Sequence, residues 1–241
     1  MSHSKRTEDD KIYNTKIYVK KPKEIFKRIV GLCGSNKPYR KILDIGCANG
    51  AFLDFLGHNY PGASLFGWDI SKRLLGIAKL NIKKGHFAQK DVSRPLKAKE
   101  TFDLIVSTGV TGCFDAIEPF LKNIVSILAP GGSAFIAGNF NEFPIRVFIS
   151  YNDLTRHTKR HREDGWNIFA EKEVHNFFKK IKNLKVKFHN FEMPFDLNQK
   201  CNDYSRTWTT KINNKRYLTN GLCVIYPHKI LEIQKSRIAY D

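Results

Sequence analysis

The chain has few cysteines and lacks the paired spacing by which cysteines hold a structural metal. Its 241 residues include five cysteines, an odd number, with no Cys-x-x-Cys pair among them. A disulfide framework uses an even set of cysteines, and a structural zinc site typically contains such a pair. The sequence therefore predicts neither. The five are Cys33, Cys47, Cys113, Cys201 and Cys223.

Long hydrophobic runs are absent as well. No stretch reaches the ~18 consecutive apolar residues typical of a membrane-spanning helix. The first residues, 1–11, are polar and charged, whereas a signal peptide has an apolar centre. Since unpaired cysteines also fit a reducing compartment, we expect a cytoplasmic protein without a membrane span.

Acidic residues are scarce relative to basic ones. Lysine and arginine number 41 against 23 aspartates and glutamates, which gives a formal net charge of +18. Such a surplus attracts anions, among them phosphorylated small molecules and nucleic acids. Compositional drift toward lysine would produce the same surplus, so charge alone selects no partner. A hydrophobic fraction of 41% excludes a wholly disordered chain.

Strands and helices alternate over the first 138 residues. This alternation predicts right-handed crossovers and a doubly wound, Rossmann-like α/β domain with a mostly parallel sheet. Ser71 is well placed to cap the second helix. The predicted strands are 39–45, 64–68, 87–92, 102–107 and 133–138, and the helices between them are 50–56, 72–81 and 117–128.

The alternation breaks down after residue 138. Residues 171–181 have helical periodicity, and 184–191 and 221–226 have the pattern of strands. The stretch 193–220 looks irregular and is too long for a simple hairpin turn, which favours a functional role. We therefore expect a single domain over 1–241, with a core at 39–138 and insertions at 139–170 and 193–220.

A turn rich in small residues follows the first predicted strand. It comprises Asp44-Ile45-Gly46-Cys47-Ala48-Asn49-Gly50, and Asp69 ends the next strand. Small residues let a ligand lie against the backbone, and an acidic residue at the second position suits the two hydroxyls of a ribose. Asp44 would repel a pyrophosphate but attract an ammonium or sulfonium group. The pattern indicates a nucleoside cofactor that carries positive charge.

These residues resemble the class I S-adenosylmethionine-dependent methyltransferases, whose first motif is Asp-x-Gly-x-Gly-x-Gly. Ala48 replaces the middle glycine, and the likeness continues through 102–106 and 128–132. The resemblance implies S-adenosylmethionine as cofactor and a seven-stranded sheet with one antiparallel strand beside the fifth. The residues it implies for cofactor binding are Asp44, Gly46, Cys47, Ala48, Gly50, Asp69, Ile70, Asp91, Val92 and Ser107.

The segment 151–167 concentrates cations, two histidines and an aromatic residue. One interpretation is that this charged run simply forms a solvent-exposed surface. The other is a lid whose arginines bind an anionic acceptor and whose histidines serve as the base that an O-methyl transfer requires. Metal binding by these histidines would also need carboxylates that the sequence does not place for it, so we expect no metal. The catalytic candidates are His157, His161, Asp115 and Tyr151, and the substrate-binding candidates are Arg156, Arg160, Arg162, Trp166 and Arg206.

A looser resemblance concerns the acceptor. Tyr151, the run 165–169 and the later 206–208 and 219–222 are similar to methyltransferases encoded among bacterial capsule and O-antigen genes. This resemblance implies O-methylation of a sugar, a nucleotide sugar or a phosphorylated precursor of a surface polysaccharide. The alternatives are an RNA methyltransferase that uses its basic surface and a cofactor-binding protein without catalysis.

Overall fold

A central sheet of seven main strands organises the chain in the computed structural model. The structure describes residues 3–5, 13, 21–34, 37–97, 100–154, 162–200 and 204–237. The main strands are β1 Lys41–Ile45, β2 Ser64–Asp69, β3 His86–Gln89, β4 Phe102–Thr108, β5 Leu128–Asn141, β6 Leu184–Asn190 and β7 His228–Lys235. The helices are α1 Glu24–Cys33, α2 Ala51–Asn59, α3 Lys72–Asn81, α4 Glu118–Ile127 and α5 Glu171–Phe178.

The strand order across the sheet is β6-β7-β5-β4-β1-β2-β3. β7 runs antiparallel to both β5 and β6, while the other neighbouring pairs are parallel. This confirms the predicted doubly wound sheet with one antiparallel strand beside the fifth. The order reverses between β1 and β4, and the carboxyl ends of strands at such a switch point form the usual ligand crevice of this architecture.

The core lies on both faces of the sheet. Successive residues of a strand point to opposite faces, so Ile42 packs in one hydrophobic cluster and Leu43 in the other. Helices α1 and α2 cover the first face, and α4 and α5 cover the second. The predicted cap of α3 is confirmed, because the Ser71 hydroxyl accepts a hydrogen bond from the Leu74 N–H.

Several shorter elements supplement the central sheet. His3–Lys5, Arg162–Asp164 and Ser150–Tyr151 form a small three-stranded sheet, and Phe169–Ala170 pairs with β5. A 3₁₀ turn, Thr111–Cys113, follows β4. Trp208–Ile212 and Lys215–Thr219 pair as an antiparallel hairpin.

Three sequence predictions differ from this structure. The strand expected at 221–226 is wrong: Cys223 adopts a left-handed φ of 58°, and the last strand is β7. The region 193–220 is not irregular throughout, since it contains the hairpin, whose turn residues Asn213 and Asn214 have φ of 49° and 63°. Two consecutive positive φ angles suit a tight hairpin turn. Helix α1 was not predicted.

Candidate active site

The turn after β1 is held tightly against β2. The backbone N–H groups of Gly46 and Cys47 both donate to the Trp68 carbonyl, at 2.7 and 3.1 Å. Gly46, Ala48 and Gly50 have φ of 75°, 47° and 87°, in the left-handed region that favours glycine. A Cβ at Gly46 would lie 2.2 Å from Val110 Cγ2, so only glycine fits there.

Asp69 fastens this turn through its carboxylate. Oδ2 accepts from the Ala48 N–H at 2.8 Å, and Oδ1 accepts from the Ser71 N–H at 2.8 Å. The side chain is buried at the carboxyl end of β2. A carboxylate at this place, at the end of the strand next to the glycine turn, suits the two hydroxyls of a ribose.

Asp44 is a buried carboxyl group whose charged form a nearby cation would stabilise. Its Oδ1 has no hydrogen-bond partner. Burial, followed by repulsion from Asp69, raises its pKa to about 8, and Lys23 opposes this shift. A positively charged ligand beside Asp44 would offset both causes. The turn and its two carboxylates thus fit a cationic nucleoside such as S-adenosylmethionine.

The residues predicted for the adenine side differ in their exposure and in their hydrogen bonds. Ile70 is 44% exposed, unusually open for an isoleucine next to a buried turn. Asp91 accepts hydrogen bonds from the Ser93 N–H and hydroxyl and pairs with Arg94 at 3.2 Å. The Val92 side chain is buried in the core. Ile70 is therefore the most exposed of these three side chains.

Two other predicted residues use their side chains within the protein. The Ser107 hydroxyl is buried and donates to the Ile45 carbonyl at 3.0 Å, which joins β4 to β1. The Cys47 thiol is buried, and burial raises its pKa. Both side chains are therefore buried within the protein.

A small cavity opens beside this turn, at the carboxyl ends of β4 and β5. Its volume is about 100 Å³. Val110 connects the two places, since its side chain packs on Gly46 while its neighbours Gly109 and Thr111 line the cavity. The full lining is Gly109, Thr111, Gly112, Gly138, Asn139, Trp166, Thr207, Leu218, Tyr226 and His228.

Polar groups line this cavity from the 3₁₀ turn after β4, from β5 and from β7. The Thr111 hydroxyl is fully buried without a hydrogen-bond partner. His228 Nδ1 lies 3.2 Å from Asn139 Oδ1. Burial lowers the pKa of His228 to about 4, so the imidazole is neutral at pH 7. The cavity therefore offers hydrogen bonds and a neutral base.

Two aromatic residues, Trp166 and Tyr226, line the cavity. The Trp166 and Tyr226 rings lie 5.6 Å apart, and the Tyr226 hydroxyl donates to Asn220 Oδ1 at 2.8 Å. Asn167, next to Trp166, donates to the Phe114 carbonyl and accepts from the Ile149 N–H. These bonds join Asn167 to the loop after β4 and to Ile149.

The predicted acceptor-side residues fall into several places. Trp166 lines the cavity, and Arg206 precedes the lining residue Thr207. Asp115 is exposed on the loop after β4. The Tyr151 hydroxyl donates to Glu163 in the small sheet, where Arg162 also donates to the Ser150 hydroxyl. His157, His161, Arg156 and Arg160 lie outside the described residues.

Sequence reasoning missed His228. The sequence predicts a last strand that ends at 226, whereas β7 begins at His228. The apolar residues Ile230, Leu231 and Ile233 were the available signal for that strand. Within the described ranges, no three histidines, cysteines or carboxylates cluster in a way that could hold a metal, and no helix is both long and apolar enough to cross a membrane.

Comparison with known proteins agrees with this geometry. Residues 17–206 match a family model described as a methyltransferase domain. The chain belongs to this family. It is a class I S-adenosylmethionine-dependent methyltransferase domain, as the glycine turn and sheet order also indicate.

Two relatives illustrate how far the similarity extends. The ubiquinone biosynthesis O-methyltransferase of Pelagibacter ubique is 34% identical over 108 residues, 43% of this chain and 44% of that protein. The malonyl-[acyl-carrier protein] O-methyltransferase of Bacillus anthracis is 27% identical over 94 residues, 38% and 35% of the two chains. This methyltransferase thus spans less than half the length of these curated relatives.

A solved structure matches over more of the chain. An S-adenosylmethionine-dependent methyltransferase of Clostridium acetobutylicum shares 16% identity at a TM-score of 0.55, covering 94% of this chain and 96% of its own. At this identity the likeness concerns the fold.

Proposed function

We propose that the chain transfers the methyl group of S-adenosylmethionine to a hydroxyl oxygen of an acceptor whose reactive end enters the cavity. When bound, the cofactor supplies a methyl carbon activated by its sulfonium. The observation that carries the proposal is Val110, whose side chain packs on the glycine turn while its two neighbours line the cavity. A methyl donor and an acceptor held at these two places would be adjacent.

The chain's own residues provide binding and orientation. Asp44 would pair with the positive charge of the cofactor, and Asp69 would accept hydrogen bonds from its ribose hydroxyls. Ile70 would pack on the adenine. Methyl transfer is an in-line displacement, so fixing the two reactants in line and excluding water are the main tasks of the protein.

The acceptor that we propose is a sugar, a nucleotide sugar or a phosphorylated precursor of a surface polysaccharide. A cavity of about 100 Å³ is well below the roughly 300 Å³ or more of a pocket that encloses a whole small molecule, so it admits a hydroxyl-bearing edge. The Thr111 hydroxyl and Asn139 amide suit such a group. The net charge of +18 favours an acceptor that carries phosphate outside the cavity.

The test is transfer of label from methyl-tritiated S-adenosylmethionine. Purified protein would be incubated separately with UDP-N-acetylglucosamine, glucose 1-phosphate, catechol and total RNA. Label in a sugar or phenol fraction, removed by the cavity-filling variant Gly112→Phe with S-adenosylhomocysteine affinity retained, supports the proposal. Label in RNA alone, or Gly112→Phe activity equal to wild type, contradicts it.

A further inference from the structure

The pairing of β5 with β7 places two polar side chains opposite each other at the cavity. In the antiparallel register His228 faces Asn139, and the Phe140 N–H donates to the Pro227 carbonyl at 3.1 Å. Directly opposed residues of an antiparallel pair project to the same face of the sheet. The 3.2 Å contact between His228 Nδ1 and Asn139 Oδ1 therefore follows from the register of the two strands.

This contact determines which nitrogen of His228 carries the proton. An amide oxygen only accepts hydrogen bonds, so its partner Nδ1 is the protonated nitrogen. Nε2 then holds the lone pair of the neutral ring. The Phe191 ring lies edge-on to the imidazole at 5.6 Å and helps to fix its plane.

Among the described residues that line the cavity, His228 and Tyr226 are the two that titrate. The Tyr226 hydroxyl donates to Asn220, and a phenol ordinarily keeps its proton at neutral pH. On the neighbouring position of β7, Lys229 pairs with Glu171 and lies 3.6 Å from Glu142. His228 is thus the titratable side chain of this lining that is neutral at pH 7 and carries a nitrogen lone pair.

We infer that His228 is the general base of the transfer and that Asn139 is its positioning residue, which makes the acceptor a neutral hydroxyl rather than a carboxylate. This inference rests on the proposed function. The acceptor oxygen forms a bond to the methyl carbon, the carbon–sulfur bond breaks with its electron pair left on sulfur, and the hydroxyl proton moves to Nε2. Solvent later takes that proton from the imidazole.

Replacing the base gives the first test. With the acceptor that labels in wild type, His228→Ala should lower kcat by on the order of 10² to 10⁴, with S-adenosylhomocysteine affinity unchanged by calorimetry. Added imidazole should restore part of the rate. His58→Ala, which removes a 62% exposed histidine of α2, is the matched control and should remain at wild-type rate. A His228→Ala rate within threefold of wild type overturns the inference.

Asn139 variants test positioning separately from folding. Asn139→Asp keeps an accepting oxygen and adds a charge that raises the His228 pKa, so the acid limb of kcat/KM should move to higher pH by at least one unit. Asn139→Ala should lower kcat with little change in KM. An unmoved acid limb in Asn139→Asp, despite a normal fold, rejects the pairing.

A measurement on the free protein separates this inference from the proposed function. Nitrogen NMR of histidine-labelled protein, with His228→Ala used for assignment, should show a neutral ring protonated at Nδ1 near pH 7. The opposite tautomer overturns the base assignment whether or not any acceptor is methylated. Failure of every hydroxyl acceptor in wild type, with carboxylates methylated instead, likewise overturns it.

Discussion

The carboxylate of Asp69 holds the backbone of Ala48 in a left-handed conformation. Its Oδ2 accepts from the Ala48 N–H at 2.8 Å, and Ala48 has φ of 47°. The same carboxylate also accepts from the Ser71 N–H at the start of α3. One side chain thus shapes the turn after β1 and the end of β2, the two places from which a cofactor would be held.

Asp69→Ala should therefore weaken both folding and cofactor binding. We expect a loss of about 1.5 to 3 kcal/mol in S-adenosylhomocysteine affinity, typical of hydrogen bonds to a charged group. Calorimetric titration measures it. Asp103→Ala is the matched control, because Asp103 also caps two backbone N–H groups, those of Arg40 and Lys41, at the opposite edge of the sheet. Equal affinity losses in the two variants would reject the ribose role of Asp69.

Ala48→Gly should stabilise the protein. A non-glycine residue in the left-handed region destabilises the folded state by about 1 to 2 kcal/mol. Glycine relieves this strain, but its greater freedom in the unfolded chain lowers the free energy of unfolding by about 0.4 to 1 kcal/mol. We expect a net gain on the order of 0.5 to 1 kcal/mol in the free energy of unfolding, measured by urea denaturation. A destabilised variant would show that the alanine methyl makes a contact worth more than the strain.

Gly138 and Thr111 should be energetically coupled. A Cβ at Gly138 would lie 2.2 Å from Thr111 Oγ1, which is closer than any real contact. Gly138→Ala alone should cost about 1 to 3 kcal/mol by overpacking. Combined with Thr111→Ala, which removes that oxygen, it should cost at least 1 kcal/mol less than the sum of the two single changes. Additive free energies of unfolding would place the strain elsewhere.

The stability of the cofactor-free protein should fall as pH rises from 6.5 to 8. The Asp44 pKa is raised from 3.8 to about 8 on folding, so the folded state binds more protons than the unfolded state in that window. His228, with its pKa lowered to about 4, acts oppositely, but only up to its ordinary value of 6.5. Urea denaturation at several pH values should give a smaller slope for Asp44→Asn. Identical slopes would contradict the assigned pKa.

Much of the sheet could be predicted from the sequence because its strands are buried and their flanking turns are marked by small or capping residues. The helix 72–81 was predicted with the bounds of α3, and Ser71 caps it as expected. The turn after β1 was found because its strained backbone requires glycine at Gly46 and Gly50.

The acceptor side was less predictable because long-range pairing determines it. His228 faces the cavity only through the antiparallel register of β7 on β5, which no local pattern reveals. Asn213 and Asn214 turn the hairpin by positive φ angles, although neither is glycine. Burial of β7 on both faces, at Ile230, Leu231 and Ile233, removed the alternation that would have marked it as a strand.

The central claim is that Asp44 binds the positive charge of S-adenosylmethionine. Because its pKa in the free protein is about 8, a cation that requires the carboxylate should displace close to one proton at pH 7. Calorimetric titration of the full chain with S-adenosylmethionine, in phosphate and in Tris, measures that proton release. Asp44→Asn is the control, since the ligand's own amino group titrates equally in both. We predict that wild type releases nearly one proton more than Asp44→Asn, and that Asp44→Asn binds S-adenosylmethionine at least tenfold more weakly. Equal affinity and equal proton release in the two proteins would contradict the account.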